Sequence, residues 1–66
     1  MAVTAINLDE LLTPHQAAEY LSTTEAVLAQ ERYRGVGLPY VRVGRRIRYR
    51  AKDIADYLDR NTTRPA

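Results

Sequence analysis

The sequence predicts an α+β fold, mostly helical, with three short helices and one two-stranded β-hairpin. Two helix-start patterns, at Thr13 and Thr24, stand close together. Between Tyr40 and Arg50 the hydrophobic pattern switches to alternation, the mark of half-buried strands. After Lys52 an apolar stripe at helical spacing returns. At 66 residues the chain makes one domain. A domain of that size buries only ~60% of its unfolded surface, so its stability is expected to be marginal. Residues 1–10 read as a flexible lead-in, 11–60 as the domain and 61–66 as a disordered tail.

Leu11 and Leu12 are expected to drop onto the core. In Thr13-Pro14-His15-Gln16, Thr13 can cap, Pro14 suits the first helical position, and Gln16 sits where a capping box wants Glu or Gln. The first helix then runs to about Leu21, with Ala17, Ala18, Tyr20 and Leu21 available for packing. Ser22-Thr23-Thr24 breaks it, and Thr24 caps a second helix from Glu25 to about Arg34. The pair makes a helix-turn-helix outline. Gly35 fits the C-cap, where a left-handed conformation is cheap only without a Cβ, and Gly37 and Pro39 forbid regular structure. A third helix from about Lys52 to Arg60 packs through Ile54, Tyr57 and Leu58. Asp53 near its start suits the helix dipole.

The hairpin alternates Val41, Val43, Ile47 and Tyr49 with Arg42, Arg48 and Arg50. A three-residue loop, Gly44-Arg45-Arg46, sets Val43 opposite Ile47 and Val41 opposite Tyr49. It also sets Arg42 opposite Arg48. Like charges so placed destabilise a hairpin, and a phosphate between them would reverse the sign.

The charge distribution points the same way. Arg32 to Lys52 holds eight basic residues and no acidic one, whereas Met1 to Glu31 holds five acidic residues and no basic one. The formal net charge of +2 conceals that separation. Arginine-rich clusters suit phosphate oxygens, because one guanidinium fork can hold two of them. Nucleic acid is therefore the expected partner.

Little supports catalysis. His15 is the lone imidazole and there is no cysteine, so neither a metal set nor a nucleophile pair is expected. Asp53, Asp56 and Asp59 recur at a spacing that makes a solvated acidic edge on a helix. No cofactor is expected. No apolar run approaches a membrane span, and the start lacks a signal pattern, so a cytoplasmic, non-membrane protein is expected.

With Val27 and Leu28 turned inward, the second helix shows Glu25, Ala26, Ala29, Gln30 and Tyr33 on its outer face. Ala26 and Ala29 allow close approach to a groove. Gln30 suits bidentate contact with adenine. Tyr33 and Thr24 can reach phosphates, and Glu25 can accept from a cytosine amino group. Base contacts specify while phosphate contacts position, so modest single-site specificity is expected. Arg45 and Arg46 at the hairpin tip suit a narrow minor groove, where negative potential concentrates.

The ordered set Leu12-Thr13-Pro14, Ala17-Ala18-Glu19-Tyr20-Leu21, Arg32 to Pro39, Val41 to Arg50, and Asp53-Ile54 with Tyr57-Leu58 resembles the excisionase-type winged helix-turn-helix domains. These are related to the DNA-binding head of MerR regulators. The resemblance covers about Leu11 to Arg60. It implies a second helix in the major groove, with Thr24, Glu25, Gln30 and Tyr33 on it, and a wing carrying Arg42, Arg45, Arg46 and Arg48 on the minor groove. Arg32 and Arg34 become backbone contacts. It also implies double-stranded DNA as partner, a bent attachment site, cooperative binding of neighbouring copies, and a separate integrase (a tyrosine or serine recombinase) steered toward excision. A small transcription regulator of the same fold is the nearest alternative, and a protein-interaction adaptor without DNA binding is one of another class. Sixty-six residues are expected to leave no room for an effector or catalytic domain.

One position departs from the pattern. Such domains usually carry Trp or another large apolar residue where this chain has Glu31. A lone buried carboxylate is costly unless paired. Either an arginine neighbours it, or the second helix packs differently, or that edge meets another copy.

Overall fold

Thr13 opens the first helix with a full capping box. Its hydroxyl accepts from the Gln16 amide at 3.1 Å, and the Gln16 side chain accepts from the Thr13 amide at 3.0 Å. The computed structural model describes residues 10–63 and 65. The element order is β1 (Leu11–Leu12), α1 (Pro14–Leu21), α2 (Glu25–Arg34), β2 (Val41–Val43), β3 (Arg46–Arg50) and α3 (Ala51–Arg60). The expected lead-in and tail fall largely on residues 1–9, 64 and 66, which lie outside the described residues. At the ends that are described, the Glu10 carbonyl accepts from the Ala51 amide, and Asn61 and Thr62 donate to Tyr57 and Leu58 carbonyls in the last turn of α3.

The two helix breaks share one device. After α1, the Ser22 amide donates to the Glu19 carbonyl and the Thr23 amide to the Ala18 carbonyl. After α2, the Gly35 and Val36 amides do the same to Arg32 and Glu31. Both are Schellman turns, which need a left-handed residue just past the helix. Gly35 supplies it at φ +74°, and Ser22 adopts it at φ +56°. The Thr24 hydroxyl then accepts from the Val27 amide to start α2.

The sheet has three antiparallel strands in the order β1-β3-β2, one more than the expected hairpin. Leu11 pairs with Arg50 and Leu12 with Tyr49. Leu12 packs against the core while Leu11 stays exposed, so only one of the two leucines drops inward as expected. β3 runs into α3 without a loop, one residue earlier than the sequence indicates.

The hairpin register differs from expectation. Val41 pairs with Arg48, Arg42 with Ile47 and Val43 with Arg46. The loop is the two residues Gly44-Arg45, not three. Gly44 sits at φ +63° with no positive φ at Arg45. Glycine at the first central position of a two-residue loop is the mark of a type II′ turn, whose twist matches the strands. One residue of slip turns β2 over. Arg42 therefore shares a face with Ile47 and Tyr49, and Val41 and Val43 share the other with Arg46 and Arg48. The expected Arg42–Arg48 opposition does not occur. Val43 is left exposed because this end of the hairpin has no core to cover it.

The core is Ala17, Ala18, Leu28, Leu38, Tyr49 and Ile54, with Leu12, Leu21, Ile47 and Tyr57 packed around it. Ala17 and Ala18 have no bulk to hold α2 away. Three residues expected to pack do so poorly. Tyr20, Val27 and Leu58 are all exposed. On α2 only Leu28 is buried.

Gly37 is needed twice over. Its φ is +85°, and a Cβ there would crowd the Glu31 carboxylate and lie 3.1 Å from Glu31 Cβ. Gly37→Ala should destabilise the domain by about 1–2 kcal/mol from the left-handed conformation alone. For a domain this small that lowers Tm by roughly 5–15 °C. Thermal melting checks it, and an unchanged Tm would mean the loop bends elsewhere.

Candidate nucleic-acid interface

The outer face of α2 is built from small and polar side chains. Ala26, Ala29, Gln30 and Tyr33 are all exposed. At 91% exposure, Tyr33 has no role in the core. Arg34 stands in the last turn of the same helix, exposed.

Thr24 and Glu25 are less free than their positions suggest. The Thr24 hydroxyl is committed to capping. Glu25 Oε2 lies 3.1 Å from His15 Nδ1, and His15 Nε2 lies 3.8 Å from Glu19 Oε2. Thus His15 ties the first turn of α1 to the first turn of α2. That contact depends on the Schellman turn between the helices, so no local pattern announces it.

The wing carries its cations around its tip. Arg45 lies in the turn, Arg46 on one face of the ribbon and Arg42 on the other. All three are exposed, and none has an ion pair or side-chain hydrogen bond among the described residues. Arg48 is different. It is half-buried, and its guanidinium donates back to the Ile47 carbonyl at 2.7 Å. Below the tip the charge is partly neutralised by α3. Arg50 lies 3.8 Å from Asp53, and Lys52 lies 3.8 Å from Asp56. The acidic edge of α3 is thus in part an ion-paired edge.

Arg32 does not point outward. It is half-buried, and its guanidinium donates to the hydroxyl of the buried Tyr49. It also lies 5.9 Å from the ring centroids of Tyr40 and of Tyr49, within cation–π range. The two rings stand 6.5 Å apart at 59°, a tilted arrangement aromatic pairs favour. Arg32 comes from α2, Tyr49 from β3, and Tyr40 immediately precedes β2. The guanidinium expected on the DNA backbone thus also ties the helix to the wing. The tyrosines that hold it were invisible as a pair in sequence.

The result is one small body with two separate projecting features: a helix face lined with small and polar side chains, and a hairpin tip with three guanidinium groups that meet no carboxylate among the described residues. A family model for the helix-turn-helix domain matches residues 11–62. The chain belongs to the helix-turn-helix domain family. No curated protein and no solved structure matches it. As a helix-turn-helix domain it carries a scaffold that points to DNA binding and is typically non-enzymatic. Among its described residues no group of His, Cys, Asp and Glu is arranged to hold a metal. None of its described helices is long and apolar enough to cross a membrane.

Proposed function

We propose that this protein is an architectural DNA-binding protein of the excisionase type. It binds attachment-site DNA in the host cytoplasm or nucleoid, bends it, and directs a tyrosine or serine integrase toward excision. α2 enters the major groove with Gln30 as its base reader and Tyr33, Thr24 and Glu25 around it. Arg42, Arg45 and Arg46, with Arg48 behind them, set the wing on the backbone and minor groove, and Arg34 contacts a phosphate. The observation that carries this reading is the wing tip, where three exposed arginines have no counter-charge among the described residues. A binding site for a polyanion explains that better than a free-standing hairpin does. Bending a site costs on the order of 1–6 kcal/mol, which several phosphate contacts offset. Copies bound side by side add affinity that one small module lacks.

Footprinting on DNA that contains an integrase attachment region tests the proposal. Adjacent protected sites and a bend within that region are expected. Protection confined to a promoter would assign the protein to transcriptional regulation instead. With about four to six phosphates neutralised, the log–log salt dependence of binding should have a slope of roughly −4 to −5. A slope near zero would favour an adaptor that docks acidic proteins.

A further inference from the structure

Between α2, the loop after it and α3, a groove of about 210 Å³ opens to solvent. Val27 and Leu28 of α2, Leu38 of the following loop, and Tyr57 and Leu58 of α3 line it. It exceeds the ~150 Å³ of an engineered apolar cavity that accepts benzene. Glu31 is the charged residue in its lining. That carboxylate is half-buried against Gly37, with no ion pair or side-chain hydrogen bond among the described residues. Among the described residues no arginine pairs with it, although an arginine neighbour was one of the outcomes expected for Glu31.

The Glu31 carboxylate meets solvent beside these largely apolar walls, with no protein donor among the described residues. The complement of such a groove is an aliphatic stem that ends in a cation. We propose that the groove receives a lysine or arginine side chain carried on an apolar segment of a partner protein. The stem lies along Leu28, Leu38 and Leu58, and the cationic head meets Glu31 in a charge-assisted hydrogen bond. DNA is a poor occupant, since a phosphate would meet a like charge. The groove also remains open when DNA is bound. Successive residues of α2 are turned by 100° (3.6 per turn), which sets Val27 and Glu31 on the flank beside the Ala26, Ala29, Gln30 and Tyr33 face, not on it. A second copy is a poorer occupant too. Among the exposed apolar residues, Tyr33 stands between Arg32 and Arg34 on the outer face of α2 and Val43 follows Arg42 on the wing, and filling the groove with either would take that element off DNA. The surface stands whether or not the protein serves a recombinase.

Display of random peptides against the full chain tests this. The expected consensus places Lys or Arg next to a large apolar residue. A synthetic peptide of that consensus should bind Glu31→Gln and Leu58→Ser at least tenfold more weakly than the unaltered chain, by calorimetry. Both variants should keep their Tm and their DNA affinity, and bound duplex should not displace the peptide. Failure to select any binder, a consensus without a cation, or equal binding to Glu31→Gln would overturn the proposal. So would a dimer in sedimentation that Glu31→Gln abolishes, which would assign the groove to a second copy. Loss of DNA binding by the unaltered chain would count against the excisionase reading and leave the peptide result standing.

Discussion

Replacing Arg45 and Arg46 together with alanine should weaken duplex binding by about a hundredfold while leaving the fold intact. Both side chains are exposed at the wing tip, and neither makes an ion pair or side-chain hydrogen bond among the described residues. Surface substitutions away from such features usually change stability by less than about 0.5 kcal/mol, so Tm should hold. On DNA the position is different. A hydrogen bond to a charged group contributes about 1.5–3 kcal/mol, and about 1.4 kcal/mol is tenfold in affinity. Two lost contacts at the lower end of that range, as exposed side chains warrant, give roughly two orders of magnitude. The salt slope should also become shallower by about 1.8, at 0.9 for each phosphate released. Binding titrations at several salt concentrations check both numbers. Unchanged affinity would remove the wing from the interface and leave α2 as the whole contact.

The wing arginines were legible in sequence, but their arrangement was not, and the reason is local. Caps are short-range devices. Thr13, Gln16, Thr24 and Gly35 all act within a few residues of themselves, so a sequence pattern can place them. The hairpin register depends on how Gly44 turns. A two-residue and a three-residue loop both fit the residues, and they put opposite faces of β2 toward the core. The apolar character of Val43 favoured the wrong one, because nothing in the chain says that the tip extends past the body. The pairing of β1 with β3 escaped for a related reason. Two leucines are too few to show a strand period, and the pairing spans most of the chain. Glu31 was legible as an anomaly. Its setting, a groove with no counter-charge among the described residues, required the positions of Leu38 and Tyr57.

The second large effect is expected at Arg32, whose guanidinium, expected on the DNA backbone, also braces α2 against the wing. If Arg32 held a phosphate, lysine in its place would keep much of the affinity as a point charge, and Tyr49→Phe would not matter. The geometry makes the contrary case. Arg32→Ala leaves a buried tyrosine hydroxyl without its donor, which costs about 1–3 kcal/mol. It also removes a cation from the reach of two rings, about 0.5–2 kcal/mol more. Against the lower end of the ~5–15 kcal/mol typical of a folded domain, that threatens folding at moderate temperature. Arg32→Lys and Tyr49→Phe are the gentler pair. Each should lower stability by about 1 kcal/mol, and the double variant by less than the sum, because the two groups touch. DNA affinity should fall in Tyr49→Phe as well, although that substitution changes no charge and lies 1% exposed inside the domain. The loss would come through the wing, whose strand is fixed to α2 by this contact. A cycle that shows strict additivity, with DNA affinity lost only when the charge at position 32 is lost, would return Arg32 to the phosphate backbone.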